Sequence, residues 1–317
     1  MVRVGRHFAV AIVWLLSFSL LSEHAVRVIP LALARQLSLQ AYLTLVQLAV
    51  LAIGLGTSFA LLPEPKRALG LAAGPLPRLL ALFLAGPASY VLASYAAIYA
   101  ALPTLLAELA ARGRQAVQES TGEFGRELVA AGLVSAVIWG VVVSPVAEEL
   151  MFRGGVWSAA QSAVDALRQR FARAETAPSS GALPEGVLEP SVALRLLRGA
   201  SSFFLTGGIA TAVSAGVFAL MHADMPGGLG IVRWVSALGL GLATGLSRQA
   251  SGGIAGPIVV HVVFNACALA TTRRWLVTES FGQKLGVPLL LSYAAAGAAL
   301  CALAVALAFR GRRAPSS

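Results

Sequence analysis

Apolar runs of membrane-spanning length recur along the chain, and they constrain its fold more than any other feature. The run LVAAGLVSAVIWGVVV, which ends just before Ser144, contains no charged residue. Apolar runs of 18 or more residues predict transmembrane helices, because a helix satisfies its own backbone polar groups inside hydrocarbon. Of the 317 residues, 57% are hydrophobic and 12% are charged, about half the charged share of a soluble domain. The sequence therefore predicts an all-α polytopic membrane protein.

Charged residues and Pro/Gly clusters divide the apolar sequence into about eight predicted transmembrane helices. A run of about 20 residues rises about 30 Å as an α-helix, which is enough to cross the hydrocarbon. The N-terminal run is interpreted as an uncleaved first helix, because no clean small-residue cleavage site follows it. The segment from Pro103 to Arg126 mixes charge with Leu and Ala and is predicted to be an interfacial connection. The predicted helices are 7–22, 41–62, 78–101, 127–152, 201–222, 229–247, 254–271 and 287–309.

The basic residues predict how the chain lies in the bilayer. The net charge is +10, but the Lys and Arg residues sit in short loops, which favours lipid headgroups over nucleic acid as their partner. Placing both termini in the cytoplasm puts most of these loop residues on the cytoplasmic side. We therefore expect an integral protein of a bacterial inner (cell) membrane, in contact with the lipid bilayer. The sequence leaves the oligomeric state open.

Few ionisable or amide side chains lie within the predicted helices. A charged side chain at the centre of a membrane helix costs about 2.5–3.5 kcal/mol on insertion scales, so one that remains there is a candidate functional residue. Three different predicted helices carry such groups. None of them can face lipid, so we expect them to share a site inside the bundle. The candidates are Glu148, Glu149, Arg153, His222, His261 and Asn265.

Helical spacing predicts which of these side chains act together. Glu149 and Arg153 are four residues apart, so they share a helix face and can form an ion pair. Glu148 is displaced from that face by about 100° and has no local partner. His261 and Asn265 are also four apart and project from one face of the seventh predicted helix. Glu148 is therefore the carboxylate that most needs a functional explanation.

Two chemistries fit this set of side chains, and the residues alone leave both open. A glutamate and a histidine can activate a water molecule while His261 and Asn265 stabilise an oxyanion. Alternatively, Glu148, His222 and His261 can hold a zinc ion and leave one position for water. Structural roles also remain open, because His222 could cap a helix end and His261 could be a hydrogen-bonded structural histidine.

The motifs in which these residues stand resemble those of the CPBP family of intramembrane proteases. The chain reads EELMFR at Glu148–Arg153, FALMH at Phe218–His222 and HVVFN at His261–Asn265, and SP precedes the first motif. The resemblance covers roughly residues 127–271 and departs from the family in the long segment between the first two motifs. It implies an intramembrane endopeptidase that acts on a membrane-associated protein or peptide near its terminus, as in CAAX-type, leader-peptide or sorting-signal processing.

The resemblance also implies a role for each candidate residue. Glu148 would be the general base that activates water, with His222 assisting it. His261 and Asn265 would form the oxyanion or metal-side pair, and the neighbouring glutamate–arginine ion pair would support the site. Whether such an enzyme uses a bound zinc ion stays open.

The same resemblance divides the chain into three predicted parts. Residues 1–126 hold the first three helices and the interfacial segment, and residues 127–271 form the catalytic core. Within the core, residues of about 172–194 are rich in Pro, Ser, Gly and Glu, which predicts a flexible inserted cytoplasmic loop. Residues 272–317 hold the last helix and a basic tail.

Strict 20-residue helices would separate two of the candidate residues. Glu148 would lie near the cytoplasmic end of the fourth helix and His222 near the outer end of the fifth, about 30 Å away. A shared site therefore requires the fourth helix to continue past Arg153 to the basic cluster at 168–173. We expect an unusually long fourth helix and a separation of Glu148 and His222 of at most about 10 Å.

Two other functions are compatible with the same residues. A proton-coupled transporter also uses intramembrane Glu and His, but here the polar groups have no inverted-repeat partner in the other half of the chain. A catalytically inactive family member that acts as an immunity or scaffold protein has no reason to keep every costly polar group. The endopeptidase is therefore the preferred hypothesis.

Overall fold

A computed structural model describes residues 2–28, 39–71, 76–130, 132–175, 207–223 and 225–272. These residues are almost entirely helical and contain no β-strand, which confirms the predicted all-α class. The predicted eighth helix, 287–309, and residues 176–194 of the predicted inserted loop lie outside the described residues. The proposed three-part division of the chain stays a prediction.

The described residues form twelve helical elements in sequence. Six helices are long and apolar enough to cross a membrane, and α8 is a shorter apolar helix. Each of the first seven predicted helices coincides with a helix in the structure. The eighth lies outside the described residues, so the predicted count of eight is approximate. The elements are α1 Val2–Val28, α2 Leu39–Leu61, α3 Pro65–Leu69, α4 Leu76–Ala130, α5 Leu133–Ala136, π1 Val137–Val143, α6 Ser144–Glu149, π2 Leu150–Val156, α7 Trp157–Glu175, α8 Ile209–Leu220, α9 Gly227–Ser251 and α10 Ala255–Thr272.

Helix α4 is longer than the sequence predicts. It runs for 55 residues and contains Pro87 and Pro103 within it, whereas the prediction ended this helix before Pro103. An internal proline removes one backbone hydrogen bond, but membrane helices tolerate it because neighbouring groups satisfy the freed carbonyl. The Leu and Ala residues beyond Pro103 are strong helix formers, so the helix continues past the proline.

The five elements from α5 to α7 form one continuous helical run over residues 133–175, here called the composite helix. Its apolar part, Leu133–Arg170, is 38 residues long. The expectation of an unusually long fourth helix is therefore confirmed. Two π-helical segments interrupt it, and at their ends the backbone N–H of Ser144 bonds to Trp139 O and that of Trp157 to Phe152 O. Such wide turns cluster at functional sites, and here they flank α6.

The hydrophobic core lies around the middle of the composite helix. Its largest buried side chains include Trp14 from α1, Phe152 from π2, Phe218 from α8 and Phe264 from α10. Helices α1 and α2 approach closely at Gly54, where an added Cβ would lie 2.3 Å from the Trp14 ring. Small residues permit this kind of close packing between membrane helices. The core thus encloses α6 and holds its two glutamates within the bundle.

Candidate active site

Glu148 lies on α6 at the edge of the buried region, with its side chain 12% exposed. Its Oε1 accepts a hydrogen bond from the hydroxyl of Ser144, one helical turn earlier. Its Oε2 lies 3.8 Å from Nε2 of His261 on α10. One oxygen of this carboxylate is therefore occupied by a neutral donor, and the other faces the imidazole across a gap.

Glu149 is fully buried and joins two other candidate residues. Its Oε1 lies 2.7 Å from His261 Nδ1, and its Oε2 lies 3.2 Å from Arg153 Nε. The ion pair expected from the four-residue spacing is therefore present. Because the Nδ1–H of His261 donates to this carboxylate, the ring is held with Nε2 directed toward Glu148.

Arg153 is fully buried, and its charge is compensated from several sides. Besides the ion pair, its Nη2 donates to Gly241 O on α9 at 2.8 Å. Its guanidinium carbon lies 4.9 Å from the centroid of the Phe218 ring, a favourable cation–π distance. A buried charge needs such compensation, because removing it from water costs several kcal/mol. Arg153 thus ties α6 and π2 to α8 and α9.

Asn265 compensates for a hydrogen bond that Pro145 cannot make. In π1 the backbone bonds reach five residues forward, and the residue five after Gly140 is Pro145, which has no N–H. The N–H of Ser144 is already bonded to the carbonyl of Trp139, the residue before Gly140. The amide Nδ2 of Asn265 donates to Gly140 O at 2.8 Å and satisfies the freed carbonyl. One of its two N–H groups is therefore committed to the composite helix.

His222 follows the end of α8 and packs on Phe218. Its Nδ1 lies 2.8 Å from the carbonyl oxygen of Phe218, and the two ring centroids are 4.4 Å apart. The Phe218 ring also meets His261 edge to face, with centroids 5.9 Å apart. A chain of contacts therefore joins His222 to Glu148 through Phe218 and His261. The expected approach of Glu148 and His222 to within a shared site stays a prediction.

Comparison with known proteins supports the same region. Residues 130–267 match the family model described as Rce1-like, type II CAAX prenyl endopeptidase. This segment is similar to that family, which confirms the resemblance to the CPBP family seen in the motifs. No curated protein and no solved structure is significantly similar to the chain. The match covers somewhat under half of the 317 residues and includes all six candidate residues.

A shallow cavity of about 430 Å³ opens beside Ala223, the residue that follows His222. It lies between α4 and the start of α9, where Glu108 Oε1 accepts a hydrogen bond of 3.0 Å from the N–H of Gly228. Its wall is mostly apolar, as small-molecule and side-chain sites usually are. The residues that line it are Thr104, Ala223, Met225, Gly227, Gly230, Ile231 and Trp234.

The arrangement does not fit a zinc ion held by Glu148, His222 and His261. Among the residues that the structure describes, no three His, Cys, Asp or Glu side chains are grouped so that they could hold one metal ion. A catalytic zinc site takes three protein ligands held close together, and these three side chains are not grouped in that way.

The structure adds Gln47 to the site and gives Ser144, the serine of the SP dipeptide, contacts that the sequence did not predict. Ser144 donates to Glu148, and Gln47 of α2 donates from Nε2 to the Ser144 oxygen at 2.8 Å. A glutamine within an otherwise apolar membrane span was the available signal, because such side chains usually form hydrogen bonds between helices. No spacing in the sequence relates it to Ser144, which lies 97 residues away.

Proposed function

We propose that this Rce1-like protein is an intramembrane endopeptidase that hydrolyses a peptide bond near the terminus of a membrane-associated protein or peptide. One observation carries the proposal. Inside an apolar bundle, the partly exposed Glu148 carboxylate faces His261 across 3.8 Å, while a second glutamate holds that histidine from behind. Convergent polar groups of this kind in a low-dielectric site are typical of hydrolytic centres.

Glu148 is assigned as the general base. A water molecule that bonds to its Oε2 also lies within hydrogen-bond reach of His261 Nε2, because two such bonds span a 3.8 Å separation. As the water oxygen attacks the carbonyl carbon, its proton passes to Glu148. When the carbon–nitrogen bond breaks, that proton is delivered to the amine nitrogen that leaves. His222 assists this transfer from the end of α8.

His261 and Asn265 are assigned to the developing oxyanion. The Nδ2 of Asn265 has two N–H groups, and one remains after the bond to Gly140 O. Glu149 accepts from Nδ1 of His261 and fixes the ring, so Nε2 faces the oxyanion and donates to it when Nε2 also carries a proton. A donor fixed in this way needs no reorganisation when charge develops. Removing one such donor from an enzyme costs about a hundredfold to a thousandfold in rate.

Zinc dependence is tested separately, because the CPBP resemblance leaves it open. The proposed steps use only side chains, since the described residues do not assemble three metal ligands. Cleavage by the purified protein is expected to persist after dialysis against a strong chelator. Loss of cleavage on chelation, restored by zinc alone, would replace the water activated by Glu148 with a metal-bound one.

The position of the site within the bundle bears on how a substrate reaches it. The active groups lie within the apolar bundle, so the substrate is expected to reach them from the bilayer. The apolar cavity next to Ala223 is a suitable place for an apolar side chain of that substrate.

We assign the protein to a bacterial inner membrane with both termini in the cytoplasm, and fusing a reporter of cytoplasmic location to each terminus tests this.

The first experiment compares protein termini in membranes of cells that carry the wild type, Glu148→Ala or His222→Ala. The same few proteins should keep an uncleaved segment in both variants. Glu64→Ala is the matched control, because Glu64 is an exposed glutamate in the turn before α3. Unchanged termini in both variants, together with a phenotype, would favour the scaffold or transporter alternatives.

A further inference from the structure

The hydroxyl of Ser144 is directed differently from most hydroxyls in the described helices. A serine or threonine in a helix usually donates to a carbonyl in the preceding turn. Ser58, Ser89 and Thr244 do so, with distances of 2.7, 2.7 and 2.9 Å. Ser144 instead donates forward to the carboxylate of Glu148.

Two contacts explain this direction. The carbonyl that Ser144 would reach one turn back belongs to Gly140, and the Asn265 amide already donates to it at 2.8 Å. The Nε2 of Gln47 donates to the Ser144 oxygen, also at 2.8 Å, and occupies one of its lone pairs. The single hydroxyl proton is then directed at the remaining strong acceptor, the carboxylate of Glu148.

The donors and acceptors around Ser144 also determine the orientation of the Gln47 amide. Ser144 has one proton, and it gives that proton to a carboxylate. The group facing its oxygen must therefore be a donor, which is the amide nitrogen of Gln47. Gln47 is 7% exposed, and its Oε1 has no hydrogen-bond partner among the described residues. A half-satisfied buried amide is a cost to folding, so stability alone does not explain it.

Gln47 also lies outside the segment that matches the Rce1-like family, because it belongs to α2. We propose that Gln47 and Ser144 are positioning residues for the general base, an inference that rests on the proposed role of Glu148. The hydrogen bonds from Gln47 to Ser144 and from Ser144 to Glu148, here called the relay, fix Oε1 of Glu148. They thereby hold Oε2 toward His261 and the attacking water. Without the relay, the carboxylate can rotate about its terminal bond, and a smaller share of molecules has the oxygen in place.

A double-mutant cycle tests the relay. The substrate is a protein whose terminus depends on Glu148, and the enzyme is the full chain in proteoliposomes. Gln47→Leu and Ser144→Ala are each expected to lower kcat about tenfold with little change in KM. Ser144→Ala removes the hydrogen bond to the Glu148 carboxylate, and Gln47→Leu removes the hydrogen bond that directs the Ser144 hydroxyl toward it. The double variant should also lose about tenfold rather than a hundredfold, because both changes interrupt one relay.

Ser58→Ala is the matched control for loss of a buried hydroxyl. Ser58 lies on the same helix as Gln47, is fully buried, and donates to Gly54 O. This variant should lower thermal stability and leave the kcat of the folded protein unchanged. If Gln47→Leu behaves in the same way, or if the two losses in the cycle multiply to a hundredfold, the relay does not position Glu148 and the proposal is wrong.

Infrared spectroscopy separates failure of the relay from failure of the proposed function, because it needs no substrate. The difference between wild type and Glu148→Gln isolates the stretching band of the Glu148 carboxylate. Ser144→Ala and Gln47→Leu should shift this band, and Ser58→Ala should not. An unshifted band with normal cleavage overturns the relay alone. A shifted band, together with protein termini that do not depend on Glu148, overturns the endopeptidase and with it the catalytic purpose of the relay.

Discussion

Two adjacent glutamates on α6 lie in opposite kinds of environment. Glu149 is fully buried, with Arg153 at one oxygen and His261 at the other. Glu148 is 12% exposed and receives a hydrogen bond from the neutral hydroxyl of Ser144. One residue of helix rotation, about 100°, is enough to produce this difference. Sequence neighbours in a membrane helix can therefore serve separate purposes.

The comparison teaches what makes a carboxylate in a membrane protein available for chemistry. A fully buried carboxylate must be compensated by positive charge, and the groups that compensate it also immobilise it. Glu149 accordingly orients His261 and links α6 to α10. A carboxylate held by a neutral donor, with one oxygen facing a gap, keeps its capacity to accept a proton. We therefore assign support to Glu149 and proton transfer to Glu148.

The largest expected effect separates the two glutamates by activity. Glu148→Gln removes the base while keeping the shape of the side chain, so cleavage should fall by about a hundredfold to ten-thousandfold. Its unfolding free energy should stay within about 1 kcal/mol of wild type, because it loses only one hydrogen bond to a hydroxyl. Cleavage of the identified substrate and unfolding in detergent measure the two quantities. Undiminished cleavage by this variant would remove Glu148 from the reaction.

The next effect is on stability and concerns the buried ion pair. Arg153→Met leaves the charge of Glu149 uncompensated and should cost about 3–5 kcal/mol of unfolding free energy. Replacing both partners with apolar residues of similar size, as in Arg153→Met with Glu149→Leu, should recover much of this loss. Unfolding by denaturing detergent gives the comparison. A double variant no more stable than Arg153→Met would show that the pair stabilises the fold beyond compensating its own charges.

The sequence predicted the contacts that depend on spacing within one helix. The Glu149–Arg153 pair follows from four-residue spacing, and the long composite helix follows from the need to bring Glu148 and His222 together. The all-α class follows from the apolar runs. These predictions succeed because helix geometry is fixed by the backbone and does not depend on how helices pack.

Contacts between helices could not be predicted in the same way. Glu149 meets His261 across 112 residues and Gln47 meets Ser144 across 97, and no periodicity encodes such distances. The π-helical segments and the unbroken course of α4 through Pro103 were also missed. The first π-helical segment depends on the side chain of Asn265, which comes from another helix and satisfies a carbonyl that proline leaves free.

A medium effect tests how π1 holds α6, and with it both glutamates, in place. Asn265→Ala removes the 2.8 Å hydrogen bond to Gly140 O and leaves a carbonyl without a donor, which should cost about 1–3 kcal/mol of stability. Adding Pro145→Ala supplies a backbone N–H five residues after Gly140. The double variant should then recover part of the lost stability. No recovery would mean that Asn265 does not act by replacing the donor that proline lacks.

The smallest expected effect sets the opposite limit of the comparison. Arg67 forms an ion pair with Glu64 at 3.4 Å, and the two side chains are 85% and 61% exposed. Because water and salt screen this pair, Arg67→Ala should change the unfolding free energy by less than about 1 kcal/mol. The same detergent titration used for Arg153→Met measures it. The chemical groups of the two pairs are the same, and the pairs differ in burial and in the contacts of Arg153 with Gly241 and Phe218. A cost at Arg67 equal to that at Arg153 would show that enclosure by the bundle is not what makes Glu149 a supporting residue, and the contrast with Glu148 would then need another cause.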